Sequence, residues 1–243
     1  MSNKEAFSII IPTYNEKENL VTLIPRLKKI YPDSYIFIVD DNSRDDTADF
    51  MEKISRQYRG IHFISRNGKL GRGSAVISGL KKALVEAKTE YYLEIDADFS
   101  HDPDEIHRLL DRKKPLTLVI GSRYIKDSKI INWPFYRRFL SKLANIYIRT
   151  ILGIPLHDFT NGFRLYPKKG AEIIVSSNPA DKGYTTLSET AYILFLHGFK
   201  FTEVPTTFLN RRIGTSKISV KEYLQSLISI IKIKQNYHSP PVL

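Results

Sequence analysis

The stretch Tyr91-Tyr92-Leu93-Glu94-Ile95-Asp96-Ala97-Asp98 carries the pattern from which the fold is deduced. A strand-like run comes first, and two carboxylates, Asp96 and Asp98, follow it. Because residues i and i+2 of an extended segment point the same way, both carboxylates aim at one spot, where they repel each other unless a cation lies between them. The pattern indicates a site for a hard divalent ion with positions open for phosphate oxygens. An Asp-rich surface turn is the alternative.

The chain around this stretch alternates strands and helices. Strands are predicted at 7–11, 35–39, 61–64, 91–95 and 116–120, and helices at 16–30, 45–58, 71–87 and 103–112. Pro25 predicts a kink or a shortened first helix, and Asp102-Pro103 a capped start of the fourth. We therefore predict an α/β fold with a Rossmann-like, mostly parallel sheet that is flanked by helices.

Three polar clusters follow predicted strands, at 13–16, 40–43 and 96–98. The carboxyl ends of parallel strands meet at one edge of the sheet, and ligands bind there. These clusters therefore predict one site. A dehydrogenase is disfavoured, because no G-x-G-x-x-G follows the first strand.

The second half of the chain contains basic segments and predicted amphipathic helices. It shows an amphipathic helix at 134–152, a polar loop at 158–164, a helix at 185–197 and a strand at 199–204. A basic loop at 211–217, a final amphipathic helix at 220–234 and a disordered tail at 237–243 complete the prediction. We predict one catalytic domain, 1–217, that includes helix 134–152, and a C-terminal helix and tail, 218–243.

Composition narrows the classes of partner. The 243 residues carry a formal charge of +11, which predicts an anionic partner, and they include no cysteine, which excludes disulfides and thiolate catalysis. The basic segments also carry many apolar side chains, a mixture that suits a membrane surface, while the acidic site would repel a nucleic acid backbone. We expect no signal peptide and no bilayer-spanning run, which would need about 20 apolar residues.

The motifs together resemble the family 2 glycosyltransferases of the GT-A type, and most closely the dolichyl (polyprenyl) phosphate mannosyltransferases. The resemblance covers roughly residues 6 to 220. The matching segments, in chain order, are Ile11-Pro12-Thr13-Tyr14-Asn15-Glu16, Val39-Asp40-Asp41-Asn42-Ser43, Leu70-Gly71-Arg72-Gly73-Ser74-Ala75, Asp96-Ala97-Asp98-Phe99-Ser100-His101-Asp102-Pro103, Gly121-Ser122-Arg123-Tyr124, Asp158-Phe159-Thr160-Asn161-Gly162-Phe163-Arg164 and Arg211-Arg212-Ile213-Gly214-Thr215-Ser216-Lys217.

The resemblance implies a binding site for a nucleotide sugar, most similar to GDP-mannose sites. The residues that it assigns to the donor nucleotide are Pro12, Tyr14, Glu16, Val39, Asp41, Asp96, Ala97, Arg211 and Lys217. Asp96 and Asp98 would bind Mg²⁺ or Mn²⁺, with Ser100 as a third metal residue that could act directly, through water or not at all. A turn or helix-cap role for Asp41 and a rim-packing role for Tyr14 are the alternatives.

The resemblance places phosphate contacts on the basic residues. Asp98 and Arg123 would be catalytic, with Arg123 facing the donor phosphates and a surface salt bridge as its alternative. Arg137 and Ser141, one helical turn apart, would receive the phosphate of the lipid acceptor, or else belong to a generic basic helix on lipid headgroups. Asp158 and Glu189 are candidate bases without a sharp signature, and Glu189 could equally pair structurally. His101 is expected to orient the loop rather than to ligate metal.

The implied activity is inverting, metal-dependent transfer of mannose from GDP-mannose to dolichyl or polyprenyl phosphate, on the cytoplasmic face of a membrane. A membrane-anchoring protein is a further candidate partner. Two alternatives stay open: a transferase that uses UDP-glucose or another nucleotide sugar with a lipid phosphate or hydroxyl acceptor, and a catalytically silent nucleotide-sugar-binding scaffold.

Overall fold

A computed structural model describes residues 6–181, 183, 185–210 and 220–237, with the backbone alone for 220–224. The strands of this part of the chain are β1 Ser8–Thr13, β2 Tyr35–Asp40, β3 Ile61–Ser65, β4 Tyr91–Glu94, β5 Thr117–Ser122, β6 Lys129–Ile131, β7 Arg164–Pro167, β8 Lys200–Pro205 and β9 Thr207–Leu209. The helices are α1 Lys17–Ile30, α2 Thr47–Gln57, α3 Arg72–Glu86, α4 Ile106–Leu110, α5 Phe135–Leu152, α6 Lys168–Ser177, α7 Thr186–Leu196 and α8 Val220–Asn236.

Seven strands form one sheet in the order β3-β2-β1-β4-β7-β5-β8, and β6 pairs with β9 in a separate ribbon. The pairs β3–β2, β2–β1, β1–β4 and β5–β8 are parallel, whereas β7 runs antiparallel to both of its neighbours. The prediction of a mostly parallel α/β sheet is confirmed. The sheet lies between two apolar layers, since Ile10 packs on one side of β1 and its neighbours Ile9 and Ile11 pack on the other.

Strand β7 is a correction, because Arg164 was assigned to a polar loop. The Arg164 side chain is fully buried. Its guanidinium donates to three backbone carbonyls, those of Asn161 at 2.9 Å, Leu187 at 2.5 Å and Phe159 at 2.7 Å. A buried cation is tolerated when its donors are satisfied in this way. The sequence pattern missed the strand because a charged residue opens it.

Two helices also differ from their predicted form. Helix α1 continues through Pro25 to Ile30. Proline removes the hydrogen bond to the carbonyl four residues back, which belongs to the half-exposed Val21 and lies where water can take its place. The predicted helix 103–112 begins as a 3₁₀ turn at Pro103–Glu105, with Asp102 capping the Asp104 N–H at 3.0 Å, before α4 starts.

The prediction of a disordered tail at 237–243 was wrong for its first residue, Tyr237. Tyr237 packs against the core, and its hydroxyl donates to Glu189 Oε1 at 2.9 Å. Burial, together with the Glu189 carboxylate, raises the pKa of Tyr237. Residues 238–243 lie outside the described part of the chain. Helix α8 adds Ile230 and Ile233 to the apolar layer that also includes α5 and α7.

Candidate active site

The carboxylate pair lies where the sequence placed it, directly after the central strand β4. Asp96 keeps 26% of its side chain exposed at this edge of the sheet, while Asp98 is buried. The Ser100 N–H donates to Asp98 Oδ1 at 3.0 Å, across a tight turn in which Phe99 has φ +55°. Within the described residues, no group of three or more histidine, aspartate or glutamate side chains could hold a metal ion.

Arg72 is a site residue to which the sequence analysis gave no role. Its Nε donates to Asp96 Oδ1 at 2.8 Å and its Nη1 to Glu94 Oε1 at 2.5 Å. Glu94 is buried and also accepts from the Tyr166 hydroxyl at 2.7 Å. Burial alone would lower the pKa of Arg72, but the two carboxylates raise it instead. Arg72 is therefore a fixed cation behind the carboxylate pair.

One glycine leaves room for the Arg72 side chain, and a second lets α3 approach α7. A Cβ atom at Gly162 would overlap the Arg72 guanidinium, and one at Gly73 would overlap Thr186 of α7. The sequence signal was the run Gly71-Arg72-Gly73 at the start of α3, where a cation lies between residues that permit close backbone approach.

Five of the residues assigned to the donor nucleotide lie in or just after β1 and β2, and they are Pro12, Tyr14, Glu16, Val39 and Asp41. Tyr14 is 37% exposed and lies under the Lys69 ammonium, whose Nζ is 4.3 Å from the ring centroid. Pro12 and Val39 are buried partners in adjacent strands, and Gly79 of α3 packs against the Val39 side chain. Glu16, partly buried, accepts a hydrogen bond from Asn19 Nδ2 at 2.5 Å.

Asp41 holds the loop that precedes α3. Its Oδ1 accepts from Arg66 Nη1 at 2.7 Å, and its Oδ2 accepts from the N–H groups of Leu70 at 3.0 Å and Gly71 at 2.9 Å. This arrangement is the turn and helix-start role that was the alternative interpretation of Asp41. A nucleotide contact would have to coexist with these three bonds.

Arg123 and Asp158 form a buried bidentate ion pair. Arg123 donates from Nε to Oδ2 at 2.7 Å and from Nη2 to Oδ1 at 2.8 Å, and Nη2 also donates to Thr160 Oγ1 at 2.6 Å. Burial would raise the pKa of Asp158, but the Arg123 charge and its hydrogen bonds outweigh this effect and lower it. Nε and Nη2 of the guanidinium that was expected on phosphate oxygens are thus engaged by Asp158 and Thr160, and both carboxylate oxygens of Asp158 are used in this pair.

A second carboxylate fixes this loop from β8. Glu203 accepts from the N–H groups of His157 at 3.0 Å and Asp158 at 3.1 Å. From the other side, Asn145 of α5 accepts from the Phe159 N–H at 2.6 Å. The position of Arg123 therefore depends on three separate elements of the chain.

The two residues that were predicted to bind the acceptor phosphate lie in the first half of α5. Arg137 and Ser141 are both partly buried, and the Arg137 guanidinium carbon is 4.7 Å from the centroid of the Trp133 ring. Ser141 is near the phenol of Tyr124: burial raises the pKa of Tyr124, against the lowering effects of Arg123 and Ser141. The structure thus brings Arg137 and Ser141 to the neighbourhood of Arg123, from which they are separated in sequence.

Two titratable groups have structural roles. Glu189 is buried, and its two oxygens accept from the N–H groups of Ala180 and Asp181, both at 2.9 Å. His101 is buried too, with hydrogen bonds from its ring nitrogens to Asn161 at 2.6 Å and Thr206 at 3.3 Å. Both ring nitrogens are therefore used inside the protein, in agreement with an orienting role for His101. Arg211 and Lys217 lie outside the described residues.

The architecture and the site define a class of protein. A mostly parallel sheet with carboxylates and polar side chains at the carboxyl ends of its strands is the arrangement of α/β proteins that bind ligands at this edge. Residues 8–174 match the family model described as glycosyl transferase family 2. The chain therefore belongs to glycosyltransferase family 2, and it is a glycosyltransferase.

Similar proteins are found over nearly the whole chain. A polyprenol monophosphomannose synthase from Mycolicibacterium smegmatis is 37% identical over 91% of this chain and 84% of its own length. An undecaprenyl-phosphate mannosyltransferase from Micrococcus luteus is 37% identical over 86% of each chain. A dolichol-phosphate mannosyltransferase from Pyrococcus furiosus is 37% identical over 93% of this chain and 63% of its own length.

Solved structures confirm the GT-A type of fold. Glucosyl-3-phosphoglycerate synthase from Mycobacterium tuberculosis, in complex with Mn²⁺, UDP-glucose and glycerol 3-phosphate, superposes with a TM-score of 0.63. The match covers 96% of this chain and 80% of that chain at 16% identity, a level at which the likeness concerns the fold alone.

Proposed function

We propose that this enzyme transfers mannose from GDP-mannose to a polyprenyl or dolichyl phosphate at a membrane surface, with inversion at the anomeric carbon. The observation that carries the proposal is the 37% identity to relatives that are named for mannose transfer to polyprenol, undecaprenyl or dolichol phosphate. The site supports it, because Arg123 and Arg137 provide cations at the acceptor side.

The carboxylate pair fits a divalent cation. Asp96 and Asp98 offer hard oxygen atoms at a partly open edge, and Mg²⁺ is usually held by one or two carboxylates together with substrate phosphates. Mn²⁺ with UDP-glucose in the similar solved structure supports the same choice. When bound, the ion would neutralise negative charge on the departing diphosphate. Ser100 supports the pair through its N–H bond to Asp98, and a direct contact from Ser100 to the metal stays a prediction.

A phosphate acceptor would make a general base unnecessary, which suits a site whose two described candidate bases are already engaged. A phosphate monoester is already anionic near neutral pH, so it can attack without losing a proton to the protein, whereas a sugar hydroxyl would ordinarily need a base. Asp158 and Glu189 are both engaged in buried structural contacts. The oxygen of the lipid phosphate would attack. Arg123 would serve both phosphates, because with Arg137 it would bind the attacking lipid phosphate and it would also help to stabilise the leaving diphosphate.

The surface of α5 fits a membrane-bound acceptor. Basic side chains lie among the exposed apolar side chains of this helix. The exposed apolar residues are Phe135, Tyr136, Phe139, Leu140, Leu143 and Ile146. Such helices lie in the interface between headgroups and acyl chains. Within the described residues, no helix combines the length and hydrophobicity needed to cross a bilayer. We place the enzyme peripherally on the cytoplasmic face, with its catalytic domain at 1–217.

The test is transfer from radiolabelled GDP-mannose, with UDP-glucose in parallel, to polyprenyl phosphate in detergent, with Mg²⁺, with Mn²⁺ and with chelator. We expect label in the lipid phase from GDP-mannose only when metal is present. Asp98→Ala should abolish this transfer. Asp104→Ala should not, because Asp104 is an exposed carboxylate that pairs with Arg26. Label from UDP-glucose alone would overturn the assignment of GDP-mannose as the donor and favour the glucosyltransferase alternative. The similar solved structure, a complex with UDP-glucose, supports testing that donor.

A further inference from the structure

The only tryptophan of the chain contacts both arginines that are proposed for the acceptor side. The centroid of the Trp133 ring is 5.4 Å from the guanidinium carbon of Arg123 and 4.7 Å from that of Arg137. Because both cations contact the same ring, their guanidinium carbons are no more than about 10 Å apart. The electron-rich face of an indole attracts cations, so the ring can hold two like charges closer together than they would otherwise lie.

The ring itself is held firmly. Phe208 of β9 packs edge-on against it at 5.0 Å, and the same Phe208 ring lies 5.2 Å from the guanidinium carbon of Arg123. The indole N–H is buried, and it has no hydrogen-bond acceptor in the part of the chain that the structure describes. What Trp133 contributes to this cluster is therefore the face of its ring.

The two arginines depend on Trp133 to different degrees. Arg123 is fixed by its bidentate pair with Asp158, a contact in which the ring takes no part. For Arg137, by contrast, no carboxylate of the described residues lies within ion-pair distance. The indole is the side-chain contact that orients its guanidinium.

We propose that Trp133 is a positioning residue that holds the Arg137 guanidinium beside Arg123, so that the two cations receive a phosphate monoester together. The inference rests on the proposed function, since it takes Arg137 as the acceptor-phosphate contact. It adds to that function the side chain that orients Arg137 toward the acceptor phosphate.

The first experiment uses the unmodified protein, because its single tryptophan reports on this one location. The emission of Trp133 is followed while farnesyl phosphate is added in detergent, with farnesol as the uncharged control and no sugar donor present. We expect a saturable change with farnesyl phosphate that is absent with farnesol and lost in Arg137→Ala. An equal response to farnesol, or one that survives Arg137→Ala, would overturn the proposal.

The second experiment separates positioning from stability. Trp133→Leu should raise the KM for polyprenyl phosphate about 10-fold, while the KM for the sugar donor changes little. Trp133→Phe keeps an aromatic face and should restore most of the loss. The matched control is Tyr91→Leu, which also removes a ring from a cation–aromatic contact. Lys113 Nζ lies 5.1 Å from the centroid of the Tyr91 ring, at the end of β4 that is opposite the site. A wild-type acceptor KM in Trp133→Leu would overturn the inference.

The two experiments also distinguish this inference from the proposed function. If GDP-mannose proves inactive but farnesyl phosphate still changes the emission through Arg137, the donor is wrong and the acceptor-phosphate contact stands; the Trp133→Leu comparison is then made with the sugar nucleotide that is active. If transfer is normal and Trp133→Leu keeps its acceptor KM, the function stands and the role of Trp133 fails.

Discussion

The Arg72 guanidinium is shared by two carboxylates that differ in exposure. Glu94 is buried at the end of β4, while Asp96 is partly open at the edge of the sheet. Removing one member of a buried ion pair leaves the other charge uncompensated, which costs more than the pair contributes. The side chain behind the carboxylate pair therefore supports the fold as well as the site.

Arg72→Met should lower the free energy of unfolding by about 3–5 kcal/mol, because it strands the buried Glu94 carboxylate. Urea denaturation measures the change. The double variant Arg72→Met with Glu94→Gln should recover part of the loss, since it removes the uncompensated charge. Arg56→Met, which breaks an exposed pair with Glu52, should have little effect and is the control. Equal losses in the two single variants would contradict the argument.

The Arg123–Asp158 pair predicts a defined dependence of stability on pH. The pKa of Asp158 in the folded protein lies below its ordinary value of 3.8, so the folded state binds this proton less readily than the unfolded state does. The contribution of the carboxylate is therefore complete above that value, and it is lost as the pH falls through the lowered folded pKa.

Asp158→Asn should accordingly be less stable than the wild type by an amount that stays constant from pH 7 down to about pH 4 and shrinks below it. Urea titrations of both proteins at a series of pH values measure this difference. If the difference already shrinks well above pH 4, the pKa of Asp158 is not lowered and the assignment of the ion pair is wrong.

At the scale of elements, α3 and α7 approach each other through Gly73. A Cβ atom at this position would overlap the Thr186 side chain and lie 2.8 Å from the backbone oxygen of Gly183. Helix propensity alone predicts that alanine would gain stability inside α3, by about 0.5–1 kcal/mol. Packing predicts the opposite sign, so the measured direction decides which effect is larger.

Gly73→Ala should destabilise the protein by about 1–3 kcal/mol in thermal or urea unfolding, because backbone atoms cannot move aside as a flexible side chain can. Gly68→Ala is the matched control: nothing lies within 4 Å of its added Cβ atom. It should be neutral or slightly stabilising. A gain of stability in Gly73→Ala would show that the two helices are less tightly packed than described.

For the whole molecule, the charge of +11 and the apolar surface of α5 act together. Helix α8, which packs beside α5, adds the exposed side chains of Ile228 and Ile231. Burial of apolar side chains and attraction to anionic lipids both favour a membrane surface, and salt weakens only the second. Binding to vesicles should therefore fall with ionic strength without being lost.

Phe139→Glu with Leu143→Glu should reduce the fraction of enzyme that floats with anionic vesicles by at least about 10-fold, since each buried apolar side chain contributes about 1.5–3 kcal/mol. Val85→Glu is the control, because Val85 is 80% exposed on α3, outside α5 and α8. Flotation that is equally reduced in Val85→Glu would show that added negative charge alone, and not the face of α5, determines binding.

The sequence by itself determined the alternation of strands and helices over the first 120 residues, the place of the carboxylate pair and the family. Those features depend on local periodicity and on short motifs, which neighbouring residues specify. Only the tertiary structure decided which charges meet: Arg123 with Asp158, Arg72 with Glu94, and Arg137 with Trp133 beside Arg123. It also showed Arg164 inside the sheet. The physical reason is that the position of a buried charge depends on partners from distant segments, which no local pattern specifies.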